Sequence, residues 1–189
     1  MKKLFLLAAI SLALFTACSS DKKDETTDKK MEDSKMTGDK MDDNKKSAAQ
    51  EKEERNKKVA MASIEGVNAH DVNQVLKDAT EDGSDYGDGT KPPTKGKEAV
   101  KKGISEWLAG FPDVKGENLK AVSDGDWVMV WGDWSGTWKG DFMGQKATGK
   151  SYKIKDVDIF KFNDEGKITE HHSIQSWLPV AAQIGMKMK

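Results

Sequence analysis

The chain has 189 residues, 36% of them hydrophobic and 33% charged, which allows one modest core. Its 31 Lys and Arg against 32 Asp and Glu leave a net charge of -1, so no cationic excess exists to grip nucleic acid or anionic lipid. A single cysteine, Cys18, excludes a disulfide within the chain.

The N-terminus is basic (Lys2, Lys3), then apolar from Leu4 to Phe15, then small-residued up to Cys18. That layout predicts a cleavable export signal over residues 1–17, too short an apolar run for a comfortable membrane span. Phe15-Thr16-Ala17-Cys18 resembles a bacterial lipobox, with Phe15 where Leu is usual. The alternative is an ordinary secretory signal with an incidental cysteine. The resemblance implies a lipoprotein carrying palmitate-type chains on Cys18, each buried CH₂ contributing about 0.8 kcal/mol to membrane attachment. The "SDKKDE" stretch after Cys18 resembles export signals of surface lipoproteins of the Bacteroidota, which places the protein in the cell envelope, at the outer membrane. Residues 18–55 are almost entirely polar, so they cannot offset the entropy of ordering and read as a tether. Met31, Met36 and Met41 recur every five residues, a spacing that follows no helical face.

From residue 56 the pattern becomes that of a folded domain. Val59, Met61, Ile64 and Val67 predict a helix, and Val72, Val75 and Leu76 a second short one after a turn that holds His70, read as a surface or capping residue. Glu81 to Gly96 is rich in Gly, Asp, Ser, Thr and Pro and reads as a loop. Glu98 to Leu108 predicts a helix with Val100, Ile104, Trp107 and Leu108 on one face. The period then changes: Leu119–Val122, Trp127–Trp138, Lys150–Phe162 and Lys167–Leu178 read as strands of an antiparallel sheet. Helices followed by a meander predict an α+β domain over residues 56–189.

Several motifs in this region resemble the SnoaL-like polyketide cyclase or ester cyclase group of the nuclear transport factor 2-like superfamily. They are Phe111-Pro112-Asp113, Gly136-Thr137-x-x-Gly140, Thr148-Gly149-Lys150, Asp158-Ile159-Phe160, Gly166-Lys167-Ile168 and Gln183-Ile184-Gly185. The resemblance implies a cone-shaped fold with N-terminal helices packed in a curved sheet, and a superfamily habit of pairing through that sheet. It also implies two departures: the family's acid/base Asp on the last strand is here Ser176, and the His of its Gly-Thr-His-x-Gly motif is here Trp138. His172 stands where many relatives have Trp, so a relocated base is one implication.

Neighbouring strand residues face opposite ways, so only one of His171 and His172 can face a pocket. Pairing Phe162 with Ile168 across the turn and counting in steps sets Asp158 opposite His172 and Asp156 opposite Ile174, which predicts His172 inside and His171 outside. Asp158 and His172 are then candidates for proton transfer, or a pair that satisfies itself. The expected pocket is lined by Trp134, Trp138, Ile174 and Ser176, with Tyr86 or Trp107 from above. It would take a small apolar or aromatic molecule with no cofactor and no metal. A cyclase-, isomerase- or hydratase-type enzyme and a non-catalytic envelope module with a filled pocket are the other readings. Trp127, Met129 and Trp131 alternate on the opposite face, an apolar stripe that predicts a homodimer.

Overall fold

In the computed structural model, which describes residues 46–175 and 177–188, the first element is helix α1 (Ala48–Asn68). The signal segment, Cys18, the methionine repeat and Ser176 lie outside the described residues. Helix α1 starts inside the segment read as tether. Ser47 caps it through a capping box: its hydroxyl accepts from the Gln50 N–H at 3.3 Å while the Gln50 side chain accepts from the Ser47 N–H at 2.8 Å. The early turns are charged because they meet polar turns rather than the core. Lys52 pairs with Asp126 at 2.6 Å and Asp164 at 2.9 Å, and Glu53 accepts from the Gly125 N–H at 3.1 Å. Apolar burial begins only with Ala60, Ile64 and Val67, hence the late hydrophobic signal.

A short α2 (Val72–Val75) and the longer α3 (Lys97–Gly110) complete the helical layer, and both follow the predicted faces. The sheet has six strands in the order β2-β1-β6-β5-β4-β3, formed by β1 (Ala79–Asp85), β2 (Thr94–Lys95), β3 (Lys115–Asp124), β4 (Trp127–Thr137), β5 (Ser151–Phe162) and β6 (Ile168–Ser173). This is the α+β architecture expected, with a curved sheet and few helices. Three details differ. Strands β1 and β2 come from the stretch read as loop: β1 is polar, with Glu81 and Asp82 exposed, and it is held by parallel pairing to β6. The sheet is therefore mixed, not purely antiparallel. Beyond Ser173 the chain turns into helix α4 (Trp177–Ile184) instead of continuing the last strand to Leu178, and Val180, Ala181 and Ile184 are buried.

Strand β4 keeps the predicted parity along its whole length. Val128, Val130 and Trp134 are buried, while Trp127, Met129 and Trp131 stay 36%, 43% and 39% exposed on the outer face, an unusual apolar stripe. The family motifs act as braces. Asp113 accepts from the Thr137 N–H at 2.7 Å and from Lys139 Nζ at 2.7 Å, fixing the end of β4 to the turn after α3. Gly140 lies against the end of α3, where a Cβ would come within 2.4 Å of the Ala109 carbonyl oxygen. Thr148 donates to the Ile184 carbonyl at 2.7 Å, tying the loop after β4 to α4.

Candidate functional site

The concave face of β5 carries Tyr152, Ile154, Asp156, Asp158, Phe160 and Phe162, as the sequence predicts. Its partner does not keep step. Phe162 pairs with Ile168, but Lys161 then pairs with Glu170, so Thr169 is an extra residue bulged out of β6. Thr169 bridges the irregularity by donating from its hydroxyl to the Lys161 carbonyl at 3.3 Å. The bulge reverses every side chain after it. His171 faces Phe160 and Ser173 faces Asp158 on the concave side, while Glu170 and His172 point outward. The expected opposition of Asp158 and His172 is therefore corrected: the inward histidine is His171.

His171 lies between two carboxylates. Its Nδ1 is 3.0 Å from Asp85 Oδ1 and its Nε2 is 3.2 Å from Asp158 Oδ1. Asp85 arrives from β1, whose parallel register sets it opposite His171. Burial by itself would keep the imidazole neutral, yet the hydrogen bonds and charges of Asp158 and Asp85 outweigh it and push the His171 pKa up to about 10. At Asp85 burial opposes ionisation, but His171 and the Gly87 N–H outweigh it and hold the carboxyl below the ordinary range. At Asp158 burial wins and pushes the carboxyl up, with His171 only partly opposing it. Its Oδ1 meets His171, and its Oδ2 is buried with no hydrogen-bond partner among the described residues.

This chain of three groups stands at one end of a cavity of about 370 Å³. Asp156 joins it, accepting from the Ser173 hydroxyl at 2.6 Å and the Gln175 N–H at 2.8 Å. The remaining wall is largely apolar and aromatic, with Trp107 and Trp134 ring centroids 6.4 Å apart and those of Phe142 and Trp177 5.6 Å apart. Among the described residues no group of three or more His, Cys, Asp and Glu side chains is spaced to hold a metal ion.

Of the residues expected at the site, Asp158, Trp107 and Trp134 line the cavity. Trp138 does not: it is buried to 1% in the core. Ile174 is turned outward by the bulge and is 63% exposed. Tyr86 and His172 leave the cavity together, stacking on each other with centroids 4.5 Å apart and planes 9° from parallel. Sequence reasoning missed Asp85, Asp156, His171, Ser173 and Gln175 as site residues. One signal was available, because the unbulged register set the carboxylate of Asp156 against Ile174, a polar–apolar mismatch that a one-residue shift removes.

Residues 57–184 match the family model for SnoaL-like polyketide cyclase. Solved structures share the fold. A protein from Jannaschia sp. CCS1 assigned as a SnoaL-like polyketide cyclase is 19% identical with a TM-score of 0.66, the match covering 76% of this chain and 99% of that one. AclR from Streptomyces galilaeus, assigned as a hydroxylase, is 22% identical with a TM-score of 0.61, covering 72% and 88%. IdmH from Streptomyces antibioticus, assigned as a polyketide cyclase, is 25% identical with a TM-score of 0.55, covering 69% and 98%. No curated protein matches the chain.

The charge on His171 gives stability a defined pH dependence. Its folded pKa lies above the unfolded value near 6.5, so its contribution is complete below that value and is lost as pH rises toward about 10. Urea midpoints should therefore fall between pH 7 and 9.5. His171→Gln should flatten that fall and His172→Gln should not; an equal fall in both variants would contradict the assignment of the inward histidine.

Proposed function

Since the chain belongs to the SnoaL-like polyketide cyclase family, we propose that its domain binds one compact, largely apolar small molecule in the concave cavity, oriented by Asp158 and His171. The observation that carries this reading is the cavity itself. About 370 Å³ falls within the usual range for small-molecule sites, and apolar walls with polar groups gathered at one end are their usual composition. An open cavity of this size also speaks against a core filled by its own side chains. A second reading, an enzyme of cyclase or isomerase type, draws on one further observation. Asp158 is a buried carboxyl whose proton affinity is raised beside an imidazole that holds positive charge, which suits a group exchanging a proton with a bound carbonyl compound. In that reading the pair is Asp158 with His171, and His172 takes no part.

The domain would act at the bacterial outer membrane, held there by lipid on Cys18 through the charged segment that follows it. It would also pair with a second copy through Trp127, Met129 and Trp131. That stripe is continuous with partly buried Val157 and Ile159 of β5, and the Nζ atoms of Lys155 and Lys161 lie 4.8 and 5.2 Å from the ring centroids of Trp131 and Trp127.

Three measurements check these statements. Native mass spectrometry of protein purified from its own host should show a bound small molecule, and conversion of that molecule on incubation with ligand-free protein would favour the enzyme over the binder; bare chain mass under gentle conditions would count against both. Replacing Cys18 with Ala should abolish fatty-acid labelling and release the protein from membranes, and labelling that persists would remove the lipid anchor. Sedimentation at micromolar concentration should show a dimer that Trp131→Glu converts to a monomer; an unaltered protein that sediments as a monomer would refute the pairing.

A further inference from the structure

The charged groups around the cavity are unbalanced. Among the described residues lining it, three carboxylates (Asp85, Asp156, Asp158) face one imidazole, and no lysine or arginine reaches the wall. Most of the carboxylate oxygens are already served. Asp156 Oδ1 accepts from the Val157 and Gln175 N–H groups at 2.7 and 2.8 Å and its Oδ2 from the Ser173 hydroxyl at 2.6 Å. Asp85 Oδ1 accepts from the Gly87 N–H and faces His171, each at 3.0 Å. Asp158 is the exception: the residue is only 8% exposed, and its Oδ2 has no donor among the described residues. Even with His171 protonated and one carboxyl holding a proton, the polar end lacks positive charge. A buried carboxylate without enough donors gains most from a cation that brings its own N–H groups.

The rest of the wall suits the same charge. Trp107, Trp134, Phe142, Tyr152 and Trp177 present aromatic surface, and ring faces attract ammonium groups while they repel anions.

We propose that the cavity selects a compact apolar amine, bound as its ammonium ion with the charged head at Asp158 and the hydrocarbon body against Trp107 and Trp134. This rests on the cavity being a ligand site and names the chemistry of its ligand. A neutral alcohol of the same frame leaves the charge deficit in place. A carboxylate of that frame adds a fourth negative charge to it.

The test uses one hydrocarbon frame with three heads: cyclohexylmethylamine, cyclohexylmethanol and cyclohexanecarboxylate, titrated calorimetrically into the full chain in detergent at pH 7.5. The amine should bind at least about tenfold more tightly than the alcohol, with no binding by the carboxylate. Asp158→Asn should bring the amine to the affinity of the alcohol. A second measurement needs no variant: the amine should tighten as rising pH takes the proton from Asp158 to make room for the ammonium, while the alcohol stays constant. An alcohol that binds as well as the amine, a carboxylate that binds, an amine preference that survives Asp158→Asn, or a flat pH response overturns the selection and leaves the ligand site standing. Failure of all three compounds to bind overturns both.

Discussion

One extra residue in β6 governs what this fold can do. In an unbulged register the strand would present Thr169, His171 and Ser173 to the outside and Glu170 and His172 to the concave face, beside Asp158. With it, the concave face receives an imidazole and a hydroxyl, and the outer face receives Glu170 and a histidine stacked on Tyr86. A bulge leaves ladder groups unpaired, which costs stability unless other partners are found. On the other side of β6 the register of β1 also shifts, between Ala79 and Ser84, and the Ile168 N–H donates to the Asp78 carbonyl at 2.8 Å. That second shift sets Asp85 opposite His171. The two irregularities thus act together, and the three-group chain across β1, β6 and β5 is their joint product.

Two aspartates show how the surroundings divide structural from chemical roles. Burial opposes ionisation at Asp113, yet Lys139 and the Thr137 N–H outweigh it and bring its carboxyl down to about 2. Such a group is fixed in its ionised form and serves as a brace. Asp158 has one imidazole contact and no backbone donor among the described residues, and burial drives its carboxyl the other way. A carboxyl whose hold on its proton is strengthened by burial is the kind that binds or transfers one. The family motif supplies the brace; Asp158 lies elsewhere, at a position whose neighbours on β6 the bulge determines.

What was legible in the sequence follows the strength of the apolar signal. Strand β4 alternates cleanly, so both its buried face and its outer stripe could be read directly. Helix α3 carries its apolar residues at helical spacing, and Trp107 was placed rightly at the cavity. The failures lie where polar contacts replace burial. The first turns of α1 are held by Lys52, Glu53 and Arg55 against hairpin turns, which no hydropathy pattern reveals. Strand β1 is polar because it lies near the sheet edge, and its composition imitates a loop. Counting in twos beyond Ile168 could not detect a bulge, so Ile174 and His172 were carried to the wrong face while the pairing of Phe162 with Ile168 was right.

The inner site and the outer face are joined by two dipeptides. Asp85-Tyr86 on one strand and His171-His172 on the next each send their first side chain inward and their second outward. The Tyr86 N–H donates to the His171 carbonyl at 2.8 Å, so one backbone hydrogen bond holds both pairs in place. Trp127, at the end of the apolar stripe, has its ring 6.1 Å from that of His172. The stacked rings of Tyr86 and His172 are therefore continuous with the surface proposed to pair. Their backbone is the same backbone that positions Asp85 and His171 at the cavity.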